Sequence, residues 1–357
     1  MKSVPLPKGW QELQIKDVCL IYYGKGLGKN NMVDGDIPVY SSGGIIGFHN
    51  ESIINSQGII IGRKGNAGSV FYSSSPFFCI DTAFYVEANN NIDLKFLYYK
   101  LISCRLERYK IDSAVPGINR DTIYSIFLTI PPIDEQKRIA EVLSLCDDVI
   151  ENLTKLIEKK ELYKKGVMQR VLSGEVRFNG FKDEWKIKKL SEISKSIKTG
   201  KLDANAMEEN GQYRFYTCAR EYYRINEYAF DGEALLISGN GAYVGYVHYY
   251  KGKFNAYQRT YVLMDFEEDI KYIKYYLDRY LKERIKKEKN EGNTPYIVLS
   301  TLTDMEIKVP ILEEQKKIAG LLSVIDEEID NLKKQLELRK QQKKGLMQRL
   351  LSGDVRI

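Results

Sequence analysis

"KKGVMQRVLSGEVRF" occupies Lys164–Phe178, and "KKGLMQRLLSGDVRI" occupies Lys343–Ile357, 179 positions further on. Sliding the chain by 179 aligns Pro131–Phe178 with Pro310–Ile357 without a gap, and 25 of the 48 positions are identical. A weaker match continues upstream. "GWQELQIKDV" around Trp10 answers "EWKIKKLSEI" around Trp185, and these are the only tryptophans. "GIIIGRKGNAGSV" from Gly58 answers "EALLISGNGAYVGYV" from Glu233. The 357 residues therefore read as two copies of one unit, each a globular part followed by a periodic tail. The tails agree closely and the globular parts share only their frame, so we expect one job for the tails and two different jobs for the globular parts.

The tails carry a heptad seam. Ile139, Cys146, Leu153 and Val167 form one series, and Leu143, Ile150, Ile157 and Val171 the other. The second copy repeats them with Ile318, Ile325, Leu332 and Leu346, and with Leu322, Ile329, Leu336 and Leu350. Such a pattern predicts helices that pack side by side. Each begins after proline with acids in its first turn and ends at "LSG", where glycine supplies the terminating conformation. About 38 residues at 1.5 Å each give a helix of roughly 57 Å.

Charge fixes the orientation. The first half of each tail is acidic (Asp147, Asp148, Glu151; Asp326, Glu327, Glu328, Asp330) and the second half basic (Lys159, Lys160, Lys164, Lys165; Arg339, Lys340, Lys343, Lys344). Only antiparallel pairing sets acid beside base. The expected pairing residues are Ile139, Leu143, Ile150, Leu153, Ile157, Ile318, Leu322, Ile325, Ile329, Leu332 and Leu336. Lys160 and Lys164, matched by Arg339 and Lys343, interrupt the seam; they are expected either to face a partner or to mark a solvated end where pairing frays. Each tail is expected to close back on the start of the other unit, in a pseudo-two-fold, near-circular arrangement. Two-fold duplex DNA is the obvious large partner for such an object.

Bulk properties set looser bounds. The chain is 43% apolar and 29% charged, the profile of a soluble globular protein. No apolar run spans a membrane, and "MKSVPLPKGW" lacks the apolar stretch of a signal peptide. Five scattered cysteines (Cys19, Cys79, Cys104, Cys146, Cys218) fit reduced thiols in a cytoplasm rather than a disulfide framework or a zinc knuckle. The net charge of +6 permits a nucleic-acid partner without requiring one. The 26 tyrosines serve first as strand and core residues.

Short apolar runs cut by glycine ("IPVYSSGGIIGFHN", "SQGIIIGRKGNAGSVFY", "FFCIDTAFYVEA") predict strands with tight turns, and a helix follows in each copy ("LKFLYYKLISCRLERYK"; "IKYIKYYLDRYLKERIKKEK"). The expected fold is mixed α+β, with two globular domains of curved, largely antiparallel sheets joined by the two long, coiled-coil-like antiparallel helices. The expected boundaries are 1–132 and 175–311 for the domains (175–184 a linker) and 133–174 and 312–357 for the helices.

Catalytic signatures are missing. "GKGLGKN" from Gly24 lacks phosphate-loop spacing, and "SGNGAYVG" from Ser238 is not a dinucleotide fingerprint. His49 and His248, the only histidines, stand alone, and lone histidines are more often structural than ligands. No metal site and no [ND]PP[YF] methyltransferase box is found. A binding protein is the better reading. Arginine can grip guanine and asparagine adenine, and glycine-flanked turns let backbone amides approach phosphates. By that chemistry the candidate DNA contacts are Lys25, Lys29, Asn30, Arg63, Lys64 and Asn66 in the first domain. In the second they are Lys198, Lys201, Arg220, Arg224, Asn240, Tyr243 and Arg259.

The paired "PPIDEQKRIAEVLSLCD" and "PILEEQKKIAGLLSVID" openings, the two "KKG.MQR.LSG" closings and the "LPKGW" and "EWKIKKLSEI" starts resemble the specificity subunits of type I restriction–modification systems. The resemblance covers essentially the whole chain. It implies two target-recognition domains, each reading one half of an asymmetric split DNA target. It implies helices that fix the spacing and dock two modification (methyltransferase) subunits, with restriction (endonuclease/translocase) subunits added. S-adenosylmethionine, ATP and magnesium would reside on those partners and none on this chain, which would be non-catalytic and cytoplasmic. It does not carry over a contact list, because such domains share a frame and not their base-contacting residues. The competing readings are a coiled-coil scaffold without sequence readout and a self-contained methyltransferase or nuclease.

Overall fold

The structure is a computed structural model that describes residues 6–111, 113–288 and 296–357. Lys289, expected to end the second domain's helix, lies outside them. The chain divides into two compact units, Met1–Thr154 with Lys334–Ile357, and Lys155–Lys333.

Both heptad segments are single helices of 41 residues, Ile133–Ser173 and Leu312–Ser352. Gly174 and Gly353 follow them with φ of +82° and +80°, where a side chain would be strained. The backbone N–H of Val176 then donates back to the carbonyl of Arg170, and Val355 to Arg349, each at 3.1 Å. Two orphan carbonyls are thereby satisfied at the helix ends.

Inside each unit the start of one helix runs antiparallel to the end of the other. In the first unit Asp147 meets Lys343 and Glu135 meets Arg356. In the second, Lys164 reaches Asp326 at 2.5 Å, Lys160 reaches Glu328 at 2.7 Å, and Glu161 reaches Lys333 at 2.6 Å. Acid lies beside base, as the charge pattern demands. Ile139, Leu143, Ile157, Ile318, Leu322, Ile325 and Ile329 are buried, while Ile150, Leu153, Leu332 and Leu336 are half-buried. Two details differ from expectation. The seam interruptions at Lys160, Lys164 and Lys343 do not fray, because each lysine reaches an acid on the opposing helix, while Arg339 donates to Gln342 of its own helix. Leu346, placed on the seam by its heptad, is exposed, since Lys343 and Met347 turn inward instead.

The first unit's main sheet has the order Cys19–Tyr23, Ala83–Ala88, Gly58–Gly62, Val70–Ser73, all antiparallel. Its central strand is buried along its whole length because both faces are covered. Ile59 and Ile61 face the main core with Phe96 and Leu97 of the helix Leu94–Ser103, and with Ile139, Leu143, Leu350 and Leu351 of the long helices. Ile60 faces a second, smaller core with Tyr40 and Phe77.

The second unit repeats the order with Ser194–Thr199, Thr260–Phe266, Phe230–Ser238 and Val247–Ala256, then adds Tyr213–Tyr216 and Tyr223–Ile225 to make six strands. Leu235 and Ile237 face the main core, with Tyr272 and Leu277 of the helix Ile270–Glu288, while Leu236 faces the small core with Tyr216 and Phe254. The sheets differ at one junction. "YKGKFNA" runs unbroken to Ala256, so Tyr213–Tyr216 pairs in parallel with its end. The corresponding "SSSPFFC" is broken at Pro76, which has no N–H for a ladder. Phe78–Cys79 and Ile37–Ser41, with Gly44–His49, therefore form a separate three-stranded sheet.

Both sheets curl. Lys25 bridges Ile80 and Leu202 bridges Tyr257, both in parallel, so the exit of the first strand in each sheet meets the turn leading into the strand beside it.

Candidate nucleic-acid interface

The curl gathers loops at one end of each sheet. In the first unit the loop Gly62–Gly68 is closed by the N–H of Gly68 on the carbonyl of Gly62 at 2.8 Å. In the second, Ser238–Gly245 is closed by Gly245 on Ser238, also at 2.8 Å. Gly65 and Gly241 sit at matching points with φ of +77° and +78°. A neighbouring backbone crosses each loop in the same way, since Ile118 donates to Arg63 and Ile297 to Gly239. One frame thus presents different side chains. Lys64 and Asn240 occupy the same place, bridged to Gly117 and Tyr296.

Around the first loop, Lys25, Lys64 and Asn66 are exposed. Arg63 is half-buried and already engaged: its guanidinium donates to the carbonyl of Asp81 at 2.9 Å and stacks 4.9 Å from the ring centroid of Tyr23. That side chain has little freedom left to grip a base. Lys29 and Asn30 sit apart from this cluster, exposed on the turn Lys29–Asn31.

In the second unit the structure brings Arg220, Tyr243, Asn240 and Arg259 together. The guanidinium of Arg220 lies 5.1 Å from the centroid of the exposed Tyr243 ring. Its loop is pinned on both sides, as the carbonyl of Ala219 faces Nε2 of His248 at 2.9 Å and the thiol of Cys218 faces the carbonyl of Arg259 at 3.3 Å. The N–H of Gly239 bonds that same Arg259 carbonyl at 3.0 Å. Lys201 adjoins, because Gln258 donates to the carbonyl of Leu202. Lys198 and Arg224 lie elsewhere, on the first and last strands of the sheet order.

Neither histidine is free for chemistry. Nδ1 of His49 accepts from the N–H of Val33 at 3.1 Å, and burial holds the His248 imidazole below its usual range, hence neutral. All five cysteines are unpaired, and burial pushes the thiols of Cys19 and Cys79 up to about 12, far from reactive. What remains is cations, amides and flat rings, the set that grips phosphates and base edges.

Sequence reasoning missed Tyr23, Arg120, Arg214, Tyr222 and Tyr250. Arg214 lies between Tyr222 and Tyr250, 4.2 and 4.4 Å from their centroids, and donates to the hydroxyl of Tyr216 at 3.2 Å. A basic residue inside the otherwise aromatic strand "YRFY" was the available signal.

Duplicated loop-bearing sheets with unlike side chains, each resting on paired helices, define a protein built from two recognition modules. The chain belongs to the family of the type I restriction modification DNA specificity domain, whose pattern matches residues 7–162 and again 182–340. Over 157 residues it is 42% identical to the EcoDI type I restriction enzyme specificity subunit of Escherichia coli, a match covering 43% of this chain and 34% of that protein. It is 26% identical to the MjaVIII specificity subunit of Methanocaldococcus jannaschii over 100% of this chain and 95% of the relative. Its fold matches a crystal structure of a type I restriction–modification S subunit from M. genitalium with a TM-score of 0.73, at 21% identity and 98% coverage of both chains.

Proposed function

We propose that this chain is the DNA sequence-specificity subunit of a type I restriction–modification complex, with each unit reading one half of an asymmetric, two-part target. One observation carries the reading: a single loop frame occurs twice and displays Lys64 in one unit but Asn240 at the same place in the other. Equal frames with unequal side chains suit two half-sites of different sequence. The chain itself performs no chemistry in this reading. Methyl transfer and cleavage belong to modification and restriction subunits, which supply S-adenosylmethionine, ATP and magnesium in the cytoplasm. Exposed apolar residues on the long helices (Leu145, Val149 and Leu156; Val324 and Leu338) support the docking of such partners there. Among the described residues no helix is long and apolar enough to cross a membrane.

The test is a map of methyladenine in host DNA with and without the gene. A two-part asymmetric motif that vanishes on deletion is the expected result. A motif set indifferent to the gene would favour the scaffold reading.

A further inference from the structure

In each unit one exposed tyrosine ring carries two arginines. Arg63 and Arg120 stand 4.9 and 5.3 Å from the centroid of Tyr23. Arg214 and Arg224 stand 4.2 and 5.7 Å from the centroid of Tyr222. The positions do not correspond between the repeats. Tyr23 ends the strand Cys19–Tyr23, whose counterpart ends at Thr199, whereas Tyr222 precedes the strand Tyr223–Ile225. The duplicated frame therefore does not account for the recurrence.

Bringing like charges together is unfavourable unless an anion shares them. Arg214 and Arg224 sit directly opposite each other on antiparallel strands, a pairing that destabilises a sheet. Among the described residues no carboxylate forms an ion pair with any of the four arginines. Their hydrogen bonds go to neutral acceptors: Arg63 to the carbonyl of Asp81, Arg214 to the hydroxyl of Tyr216, and Arg224 to the carbonyl of Gln212. Nε of Arg120 is buried without a partner. A ring face holds a guanidinium in place without consuming its N–H donors, so each keeps N–H groups beyond the one given to a neutral acceptor.

We propose that these two trios, Tyr23 with Arg63 and Arg120 and Tyr222 with Arg214 and Arg224, are phosphodiester-binding sites that seat the duplex backbone on each unit. Arg63 and Arg224 are then positioning residues and not base readers. The proposal rests on the DNA-reading function above and divides its contacts into those that hold and those that read. A guanidinium fork matches two phosphate oxygens, and contacts to phosphate set register without carrying sequence.

The experiment uses the chain with its modification subunits, titrated with one labelled duplex carrying the mapped motif and one scrambled duplex, across a salt series. Arg120→Ala and Arg214→Ala should each weaken both duplexes alike, roughly tenfold. Each should lower the log–log salt slope by about 0.9 and leave the methylated motif unchanged. Arg120→Lys and Arg214→Lys, which keep the charge, should retain the slope and most of the affinity. A loss confined to the motif duplex, or a motif that broadens at one base, would make these residues readers and overturn the proposal. So would a wild-type salt slope in the alanine variants, whatever their affinity, since a folding defect removes active protein without altering the slope. If the wild-type complex distinguishes neither duplex, it is the specificity reading that fails first.

Discussion

Arg356 grips both carboxylate oxygens of Glu135, 221 residues earlier in the chain, at 3.0 and 2.7 Å. The indole of Trp10 donates to the same carboxylate at 3.2 Å. The second unit repeats the arrangement with Arg177 on Glu314 at 2.9 and 2.7 Å and Trp185 at 3.2 Å. In each unit the segment after one long helix is thus fastened to the first turn of the other. The two tryptophans and the "VR" of both closing motifs are explained by one contact.

Glu314 is fully buried, whereas the side chain of Glu135 is 6% exposed and its arginine is the more open of the two. Removing the partner of a buried carboxylate leaves an uncompensated charge, so Arg177→Ala should harm its unit more than Arg356→Ala harms the other. The expected drop in melting temperature for Arg177→Ala is on the order of 5–10 °C. Calorimetry that ranks the two variants the other way round would refute this ordering.

The same latch makes a pH prediction. Arg356, by hydrogen bonding first, and the Trp10 indole hold the Glu135 carboxyl below its usual range. A depressed folded-state value means stability that is present at neutral pH and lost as pH falls through that value. Acid unfolding of the first unit should therefore become less steep in Arg356→Ala, as read by denaturant midpoints between neutrality and about pH 3, below the carboxylate range.

Charge, not only the apolar seam, should hold the helices in register. Lys164→Asp or Asp326→Lys alone should destabilise the second unit, and the double reversal should recover much of the loss. A coupling of about 1 kcal/mol is expected for so partly exposed a pair. A double-mutant cycle in urea measures it, and zero coupling would assign the register to the seam alone.

How much of this could be read from the sequence follows from the range of each interaction. The helices were legible because Ile139, Leu143, Ile318 and Leu322 recur along one helix face, and because a 179-residue repeat exposes the frame. The antiparallel sense was legible in the segregation of acids from bases. Lys160, Lys164 and Lys343 were visible as interruptions, but their partners are set by which residues face one another across the helix pair, which periodicity on one helix does not contain. The loops Gly62–Gly68 and Ser238–Gly245 were found by composition, yet the commitment of Arg63 depends on Tyr23 and Asp81, which reach it through sheet pairing. Arg214 escaped notice because its stacking on Tyr222 and Tyr250 unites three separate stretches of chain.

Lys100 supplies a prediction of the same sign in the alkaline range. It is buried in the first unit, where it donates to the hydroxyl of Thr129 at 2.7 Å and to the carbonyl of Leu351 at 2.6 Å, with no carboxylate partner among the described residues. Burial pulls its pKa down to about 8. The unfolded chain therefore holds this proton more tightly than the folded one. The penalty for burying the cation is full below about pH 8 and is relieved as pH rises from there towards 10.5, so this group adds stability with rising pH. Lys100→Met should remove that rise, seen as the difference between wild-type and variant denaturation midpoints at pH 7.5, below the window, and pH 9.5, well inside it.

Side chains at corresponding places on the two loops should act on different halves of the target. Lys64 and Asn240 share one backbone position, and Arg220 stands beside Asn240's loop on the ring of Tyr243. A good side chain–base pair discriminates by about 1–3 kcal/mol, so losing one should relax a single base position by roughly tenfold or more. Arg220→Ala and Asn240→Ala should each blur positions in one half-site only, and Lys64→Ala positions in the other. Methyladenine mapping of cells carrying each variant reads both halves at once. Blurring in both halves from a single substitution, or an unchanged motif from all three, would show that these loops do not read bases, and would move the search to the strand-borne aromatic surface around Tyr222 and Tyr250.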